Sequence, residues 1–357
     1  MGKGLFMFKH FTADTNNQEE YAFANGRIKK LEKGLLNNEI LDRMIKSSDV
    51  ISALKILTES DLNNYSFDLN NPSDFEGSLN QELLHTYDII KSISKVSTFN
   101  FLYFTFASKY DFHNIKILIK SKYLKKEFSN ELISPISTID IEKLNSAVKD
   151  EKYEDIPDSF EFLIKKTLSE YNKFKDPEII DFVLDKERYI MIFNKIREVE
   201  IIETEELFLK RFIKINIDLN NIINCVRAKI RGEKKTFTKE FLIPEGDFKT
   251  ENIIEIYDSP LSSWCEKLIY TDYKDTIEQG LNYFQKNNSL MELEKLRDNF
   301  ILNFSKIGKY VTFGIEPLVG FITAKENDIK NIRIILSGKL NKLSPDQIKE
   351  RVRDTYV

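Results

Sequence analysis

One polar skeleton occurs three times in this chain, and it constrains the fold more than any other feature. Asp111 and Asn114 are followed by Lys122, Asp218 and Asn221 by Lys229, and Asp328 and Asn331 by Lys339. In every copy Asn follows Asp by three positions and Lys follows Asn by eight, with Ile directly after the Asn. Counted between Asn114, Asn221 and Asn331, the copies lie 107 and 110 positions apart. Such a period in 357 residues reads as about three copies of one unit. Steps of three and eleven, at ~100° per residue, return Asp, Asn and Lys to about one quadrant of a helix.

Glycine and proline are sparse (12 and 8), and apolar residues recur at spacings of three and four, so most of the chain is expected to be helical. Val319 to Leu336 is the clearest example, with Phe321, Ile322, Ile329, Ile332, Ile335 and Leu336 on one broad face. Pro317 suits its first turn, and Gly338 is placed to end it as a left-handed cap. Ser344-Pro345-Asp346-Gln347 offers a capping box for a following short helix. Lys234 to Ile243 reads as a short extended stretch. The fold class is therefore all-α, built of three similar helical units spanning 1–135, 136–245 and 246–357. The breaks fall near 127–145 and 231–259, where Ser, Pro, Gly and charge concentrate. Arg43 to Ile51, Asn145 to Tyr153 and Glu266 to Lys274 read as three versions of a helix end and polar turn, each 60 to 75 positions or so before its Asn.

Composition narrows the function classes. A net charge of −4 with both signs interspersed gives no global attraction to nucleic acid, and aromatic residues do not interleave with the lysines. Cys225 and Cys265 cannot form a disulfide framework and read as reduced core thiols. Met1 to Tyr21 lacks a secretory pattern, and no apolar run approaches the ~20 residues of a membrane span. Catalytic patterns are nearly absent. His10, His85 and His113 form no metal-ligand spacing, and no metal or cofactor is expected. Ser337-Gly338-Lys339-Leu340 lacks the earlier Gly and the Ser/Thr after Lys that a phosphate loop needs. A soluble enzyme acting at an acidic cleft stays as a distant third class.

The repeated Asp, Asn and Lys have two readings. One is a partner site used three times. The favoured one is a polar clasp inside each unit, with Asp or Lys pairing to a neighbouring helix and Asn satisfying orphaned backbone groups, because a packing motif recurs with a fold. Basic residues also gather near each copy's end, as at Lys116, Lys120, Lys122, Lys125 and Lys126, then Arg227, Lys229, Arg231, Lys234 and Lys235. The helix dipole accounts for most of them. The sharper reading is an acidic protein partner facing such helix ends.

Longer stretches carry a family resemblance. Tyr21 to Leu31, with Asn25 and Arg27, resembles the opening helix of the C subunit of bacterial and archaeal V/A-type ATPases (V-type ATP synthases), which is related to the d subunit of the eukaryotic vacuolar enzyme. Gly26 stands where that family typically has Ala. Tyr110 to Lys122 is similar to the family's middle signature. Asp176 to Tyr189 and Phe313 to Lys339, with Glu316, Pro317 and Arg333, also look familial. The resemblance implies a non-catalytic, funnel-like body with pseudo-threefold symmetry on the cytoplasmic face of the membrane. Its implied partners are the central-shaft D and F subunits, received in a socket, and the membrane rotor ring; the candidate socket-lining residues are the basic helix ends at Lys122, Lys125, Arg227, Lys229 and Lys339. Its implied role is torque transfer for ATP-linked proton or sodium transport. The alternative is a helical scaffold unrelated to rotary ATPases.

Overall fold

The computed structural model describes residues 18–59, 67–69, 71–124, 132–198, 203–268 and 270–357. Among these there is no strand, and the fold is all-α. The helices are α1 (Gln18–Leu31), α2 (Asn38–Lys46), α3 (Val50–Glu59), α4 (Phe75–Ile93), α5 (Val96–Leu124), α6 (Ile141–Lys149), α7 (Asp158–Phe174) and α8 (Pro177–Glu198). They continue with α9 (Glu203–Ile230), α10 (Lys235–Phe241), α11 (Thr250–Tyr257), α12 (Trp264–Lys267), α13 (Lys274–Asn287), α14 (Met291–Ser305), α15 (Glu316–Leu340) and α16 (Pro345–Arg351). The three copies of the polar skeleton lie on the three longest helices, α5, α9 and α15. Contacts divide the chain into two compact units that are discontinuous in sequence. One holds residues 1–95, 201–223 and 258–357; the other holds 96–200 and 224–257, so the boundary falls within α9.

In the unit built from 96–200 and 224–257, α5 packs on α6 and α8, and α7 packs on α8. Its core joins Phe112, Ile115 and Leu118 of α5 to Leu144 and Val148 of α6, Leu163 of α7 and Leu184 of α8. Charge fixes the same interface at its edge. Lys116 Nζ lies 2.6 Å from Asp185, and Lys120 Nζ lies 2.6 Å from Asp181, both acids on α8. Lys234 to Ile243 is not the extended stretch expected from sequence but helix α10, with only its flanking residues, Lys234 and Leu242, extended. Phe237 and Phe241 are spaced by four, one helical turn, and that spacing lets both rings pack on Phe174 and Phe182.

In the other unit, α15 is the central element and packs against α1, α2, α3, α4, α14 and α16. Pro317 sits in its first turn as the sequence predicts. Gly338 does not end it. The helix runs on to Leu340, and the left-handed residue is Lys342, with Leu343 N–H donating to Gly338 O at 2.9 Å. Gly338 is instead a close-approach position, because a Cβ there would lie 2.7 Å from Ile348 Cγ1 of α16. The predicted capping box is present at α16: Gln347 N–H donates to Ser344 Oγ, and Ser344 N–H donates to Gln347 Oε1. Cys225 and Cys265 are free, Cys225 buried and Cys265 only half-buried because it lies on short α12.

Helices α13 and α14 approach closely where Gly280 faces Leu293. A Cβ at Gly280 would lie 2.8 Å from Leu293 Cα, a backbone atom that cannot swing aside. Gly280→Ala is expected to destabilise the protein by about 1–3 kcal/mol through overpacking, despite the better helix propensity of Ala. Chemical denaturation checks this: an unchanged or raised midpoint would contradict the close approach.

Candidate functional site

Each repeated lysine holds the C-terminal end of a short helix. Lys122 Nζ donates to Val148 O at 2.7 Å, near the end of α6. Lys229 Nζ donates to Tyr257 O at 2.6 Å, the last residue of α11. Lys339 Nζ donates to Ile45 O at 3.1 Å and Ser47 O at 2.5 Å, at the end of α2. The last carbonyls of a helix have no partner within it and carry the negative end of its dipole, so an ammonium group suits them doubly. Two of these helix ends lie in the stretches Arg43 to Ile51 and Asn145 to Tyr153 singled out from sequence. The third lies at Tyr257, upstream of the Glu266 to Lys274 stretch.

The aspartates hold the approach to the opposite end of the same short helices in two copies. Asp111 Oδ1 accepts from Thr138 N at 2.7 Å, Ile139 N at 3.1 Å and Ser137 Oγ at 2.5 Å, and Oδ2 accepts from Thr138 Oγ1 at 2.6 Å. Next comes Asp140, the N-cap of α6, which accepts from Glu142 N and Lys143 N. Asp328 Oδ2 accepts from Leu36 N at 2.9 Å, just before Asn37, the N-cap of α2. The lengths agree. Eleven residues from Asp to Lys span ~16 Å of the long helix, enough to bracket a nine-residue helix of ~14 Å lying parallel to it. In the remaining copy, Asp218 Oδ2 accepts from Tyr273 OH at 2.9 Å.

Two of the asparagines act on backbone. Asn114 Nδ2 donates to Ser134 O at 3.0 Å while its Oδ1 accepts from Ser134 N at 2.9 Å. Asn331 treats Arg353 identically, at 3.1 and 2.8 Å. Each amide thus satisfies both polar groups of one residue in an irregular segment, which would otherwise lose them to desolvation. Asn114, Asn221 and Asn331 are all buried.

The buried carboxylates differ in environment. Burial raises the Asp111 carboxyl, opposed by Ser137, Thr138 and Ile139. Burial pushes Asp328 up to about 7, opposed by the Leu36 N–H and by Lys325, while Glu82 adds to the rise. Lys325 is itself paired to Glu82 at 2.5 Å, both buried. Among the described residues, Asp328 Oδ1 and Glu82 Oε2 are buried without a hydrogen-bond partner. Burial likewise lowers the Lys339 ammonium.

Of the other positions drawn from sequence, Lys125, Lys126 and His10 lie outside the described residues. Arg227 Nη1 donates to Asn224 Oδ1 at 3.4 Å, one turn back on its own helix. Arg231 pairs with Glu178 of α8. His113, Asn220 and Lys330 share a repeat position yet make unlike contacts: His113 Nε2 meets Leu132 O at 3.0 Å, Asn220 Oδ1 accepts from Arg297 at 3.3 Å, and Lys330 Nζ lies 2.8 Å from Asp298. Asp298 itself escaped the sequence reading. It receives Arg297, Lys330 and Arg353 together, at 2.8, 2.8 and 2.9 Å. Burial works against its ionised form, but the three cations hold it well below the usual carboxylate range. No local spacing announces such a node, because only Arg297 is a neighbour in sequence and the other two cations come from distant elements. Among the described residues, no group of three or more His, Cys, Asp or Glu is placed to hold a metal ion, and no helix is long and apolar enough to cross a membrane.

The familial stretches meet in pairs. Asp181 and Asp185 of one engage Lys120 and Lys116 of another, while Asn25 Nδ2 donates to Thr312 O and Gly314 O at the entry to α15. A family model described as ATP synthase (C/AC39) subunit matches residues 24–351. The chain belongs to that family, the C subunits of V/A-type ATPases that the sequence resembles. Among its relatives is the C subunit of the A-type ATP synthase of Methanocaldococcus jannaschii, 27% identical over 346 residues, covering 92% of this chain and 85% of the relative. The C subunit of the V-type sodium ATPase of Enterococcus hirae is 26% identical over 337 residues, covering 94% and 99%.

Asn331→Ala is expected to lower stability by about 1–3 kcal/mol, because it strips partners from the Arg353 N–H and C=O at once. Asn114→Ala is expected to fall in the same range, as is Asn221→Ala with its buried amide, and denaturant melts that leave Asn331→Ala and Asn114→Ala at the parental value would contradict the backbone role. Asp328 makes the opposite kind of prediction, in pH. Its folded-state value lies above the ordinary 3.8, so its favourable contribution is complete at low pH and is lost as pH rises through about 7. Between about pH 6 and about pH 8 this loss should approach ~1 kcal/mol. Asp328→Asn, which keeps an acceptor for Leu36 N–H, should flatten that slope; an identical slope in the variant assigns it elsewhere.

Proposed function

We propose that the chain is the non-catalytic central-stalk subunit of a V/A-type rotary ATPase, acting as a socket between the D/F shaft and the membrane rotor ring in ATP-linked proton or sodium transport. One observation carries this reading: likeness to the C subunits runs nearly the whole length of the chain. On this reading the protein works on the cytoplasmic face of the membrane and transmits torque without making or breaking covalent bonds. Torque transfer needs stiffness, and the polar clamps support it by fixing short helices at their ends.

The consecutive units 1–135, 136–245 and 246–357 are proposed as three like members of a funnel with pseudo-threefold symmetry. The order in which lysines hold helices supports that closure. Lys122 holds the next short helix, Lys229 the next again, and Lys339 returns to the first, at Ile45 and Ser47. In this reading Asp111, Asn114, Lys122, Asp218, Asn221, Lys229, Asp328, Asn331 and Lys339 are the structural clasps. Lys122, Lys125, Arg227, Lys229 and Lys339 remain the candidate shaft-facing positions, the three clasp lysines acting through the helix ends they hold.

Purification of the tagged chain from its membranes in mild detergent, with co-eluting proteins identified by mass spectrometry, tests the proposal. Recovery of shaft proteins and a small, strongly hydrophobic ring protein is the expected result. Recovery of the chain without either, in every detergent that preserves an intact ATPase, would overturn it in favour of an unrelated scaffold.

A further inference from the structure

We propose that Lys186 is a site of covalent acylation by a small acyl phosphate, which enters the cavity shared by α7, α8 and α10. This cavity of about 280 Å³ lies wholly within the unit built from 96–200 and 224–257. Steps of three, four and seven set Lys166, Glu170 and Lys173 on one face of α7, and steps of three and four set Val183, Lys186 and Glu187 on one face of α8. Glu240 and Phe241 of α10 close the third side.

Three lysines and three glutamates line the cavity, so its charge is balanced, but the groups are engaged unequally. Glu187 is buried and taken by Lys166 at 2.7 Å. Glu170 meets Lys173 only at 3.7 Å, and Glu240 is exposed. Lys186 alone of the three lysines is held by a carbonyl: its Nζ donates to Glu240 O at 2.8 Å, near the end of α10. Burial lowers the Lys186 ammonium; Glu187 and Glu240 oppose the fall, and Lys166 adds to it. A lysine whose ammonium is destabilised by burial supplies more of the neutral amine, which is the nucleophilic form.

The neighbours suit the two halves of an acyl phosphate. Val183 and Phe241 are buried and give a short acyl group an apolar wall. A phosphate needs cations able to turn toward it. Lys173 is one, with its side chain 60% exposed and held by a surface pair of little worth. Lys166, 40% exposed, is the other. In the reaction the neutral amine of Lys186 attacks the acyl carbon, and the bond from that carbon to the bridging oxygen breaks. Phosphate leaves with the electron pair and takes the proton that the nitrogen sheds, and an amide remains on Lys186. That amide keeps one N–H for Glu240 O but carries no charge.

Incubation of the full chain with acetyl phosphate at neutral pH, followed by proteolysis and mass spectrometry, reads acetylation at each lysine. Lys186 is expected to react several times faster than Lys143 and Lys152, which are exposed in the same unit. Lys173→Gln should slow the reaction at Lys186 about fivefold, the worth of one surface ion pair. Excess inorganic phosphate should slow it in the parent. Acetylation by N-hydroxysuccinimide acetate, which carries no phosphate, should respond to neither change. Lys166→Gln should act like Lys173→Gln. Thermal melts confirm folding of each variant, and Lys173→Gln with phosphate competition carries the test if Lys166→Gln, which strands Glu187, does not fold. Three results would each overturn the proposal: Lys186 no faster than Lys143 and Lys152, no effect of Lys173→Gln and phosphate, or the same effect of both on the phosphate-free reagent. The assay uses the chain without other ATPase proteins, so its outcome is separate from that of the co-purification.

Discussion

An α-helix leaves four N–H groups and four carbonyls unpaired at its ends, and a short helix is nearly all ends. The nine-residue helices α2 and α6 have too few internal hydrogen bonds to hold themselves together in water. The structure meets this need from outside, with one long helix supplying an acceptor near the start and an ammonium group at the finish. Asp328 and Lys339 do so for α2, and Asp111 and Lys122 for α6. Lysine suits the second task because its ammonium is compact, carries three donors and sits on a flexible stem.

The Lys339 clamp also joins the two ends of the chain. Its partners Ile45 and Ser47 lie nearly three hundred positions away, as do Glu82 from Lys325 and Glu76 from Arg333 by some two hundred and fifty. The C-terminal segment adds Tyr356 OH to Glu32 and the Arg353 backbone to Asn331. The first helices therefore take several of their polar partners from the last hundred residues. Contacts of such sequence separation tie the stability of this unit to closure of the whole chain.

The repeat was legible because three chemically unlike residues keep one spacing, and that spacing is set by helix geometry. Asn114 and Asn331 show what the spacing serves, yet their partners Ser134 and Arg353 have no common side chain to betray them, since only backbone is read. The same holds for Val148, Tyr257 and Ile45, chosen by position at a helix end. Gly338 misled for a related reason. A glycine near a helix terminus serves a left-handed cap or a close approach equally well, and only Ile348 decides between them. Lys234 to Ile243 does not read as a helix on its own, because its apolar spacing of four matters only beside Phe174 and Phe182. Asp298 was invisible, since carboxylates are common and its three cations are far apart in sequence.

The polar groups also answer a problem that the apolar residues create. α5 and α15 are buried around much of their circumference, from Phe101, Leu102 and Phe106 to Phe112, Ile115 and Leu118 in one, and from Leu318 to Leu336 in the other. Such a helix has no single greasy stripe to fix its rotation, and apolar packing alone tolerates several arrangements of similar volume. A buried Asp and Asn, with a half-buried Lys on the same quadrant, remove that freedom. Rotating the helix, or sliding it by a turn, would strand a carboxylate, an amide and an ammonium together, at a penalty no neighbouring rotamer repays. Register is the best-attested use of buried polar groups. In a protein whose proposed work is to pass torque without slipping, a helix locked against rotation about its own axis is the element on which that work depends.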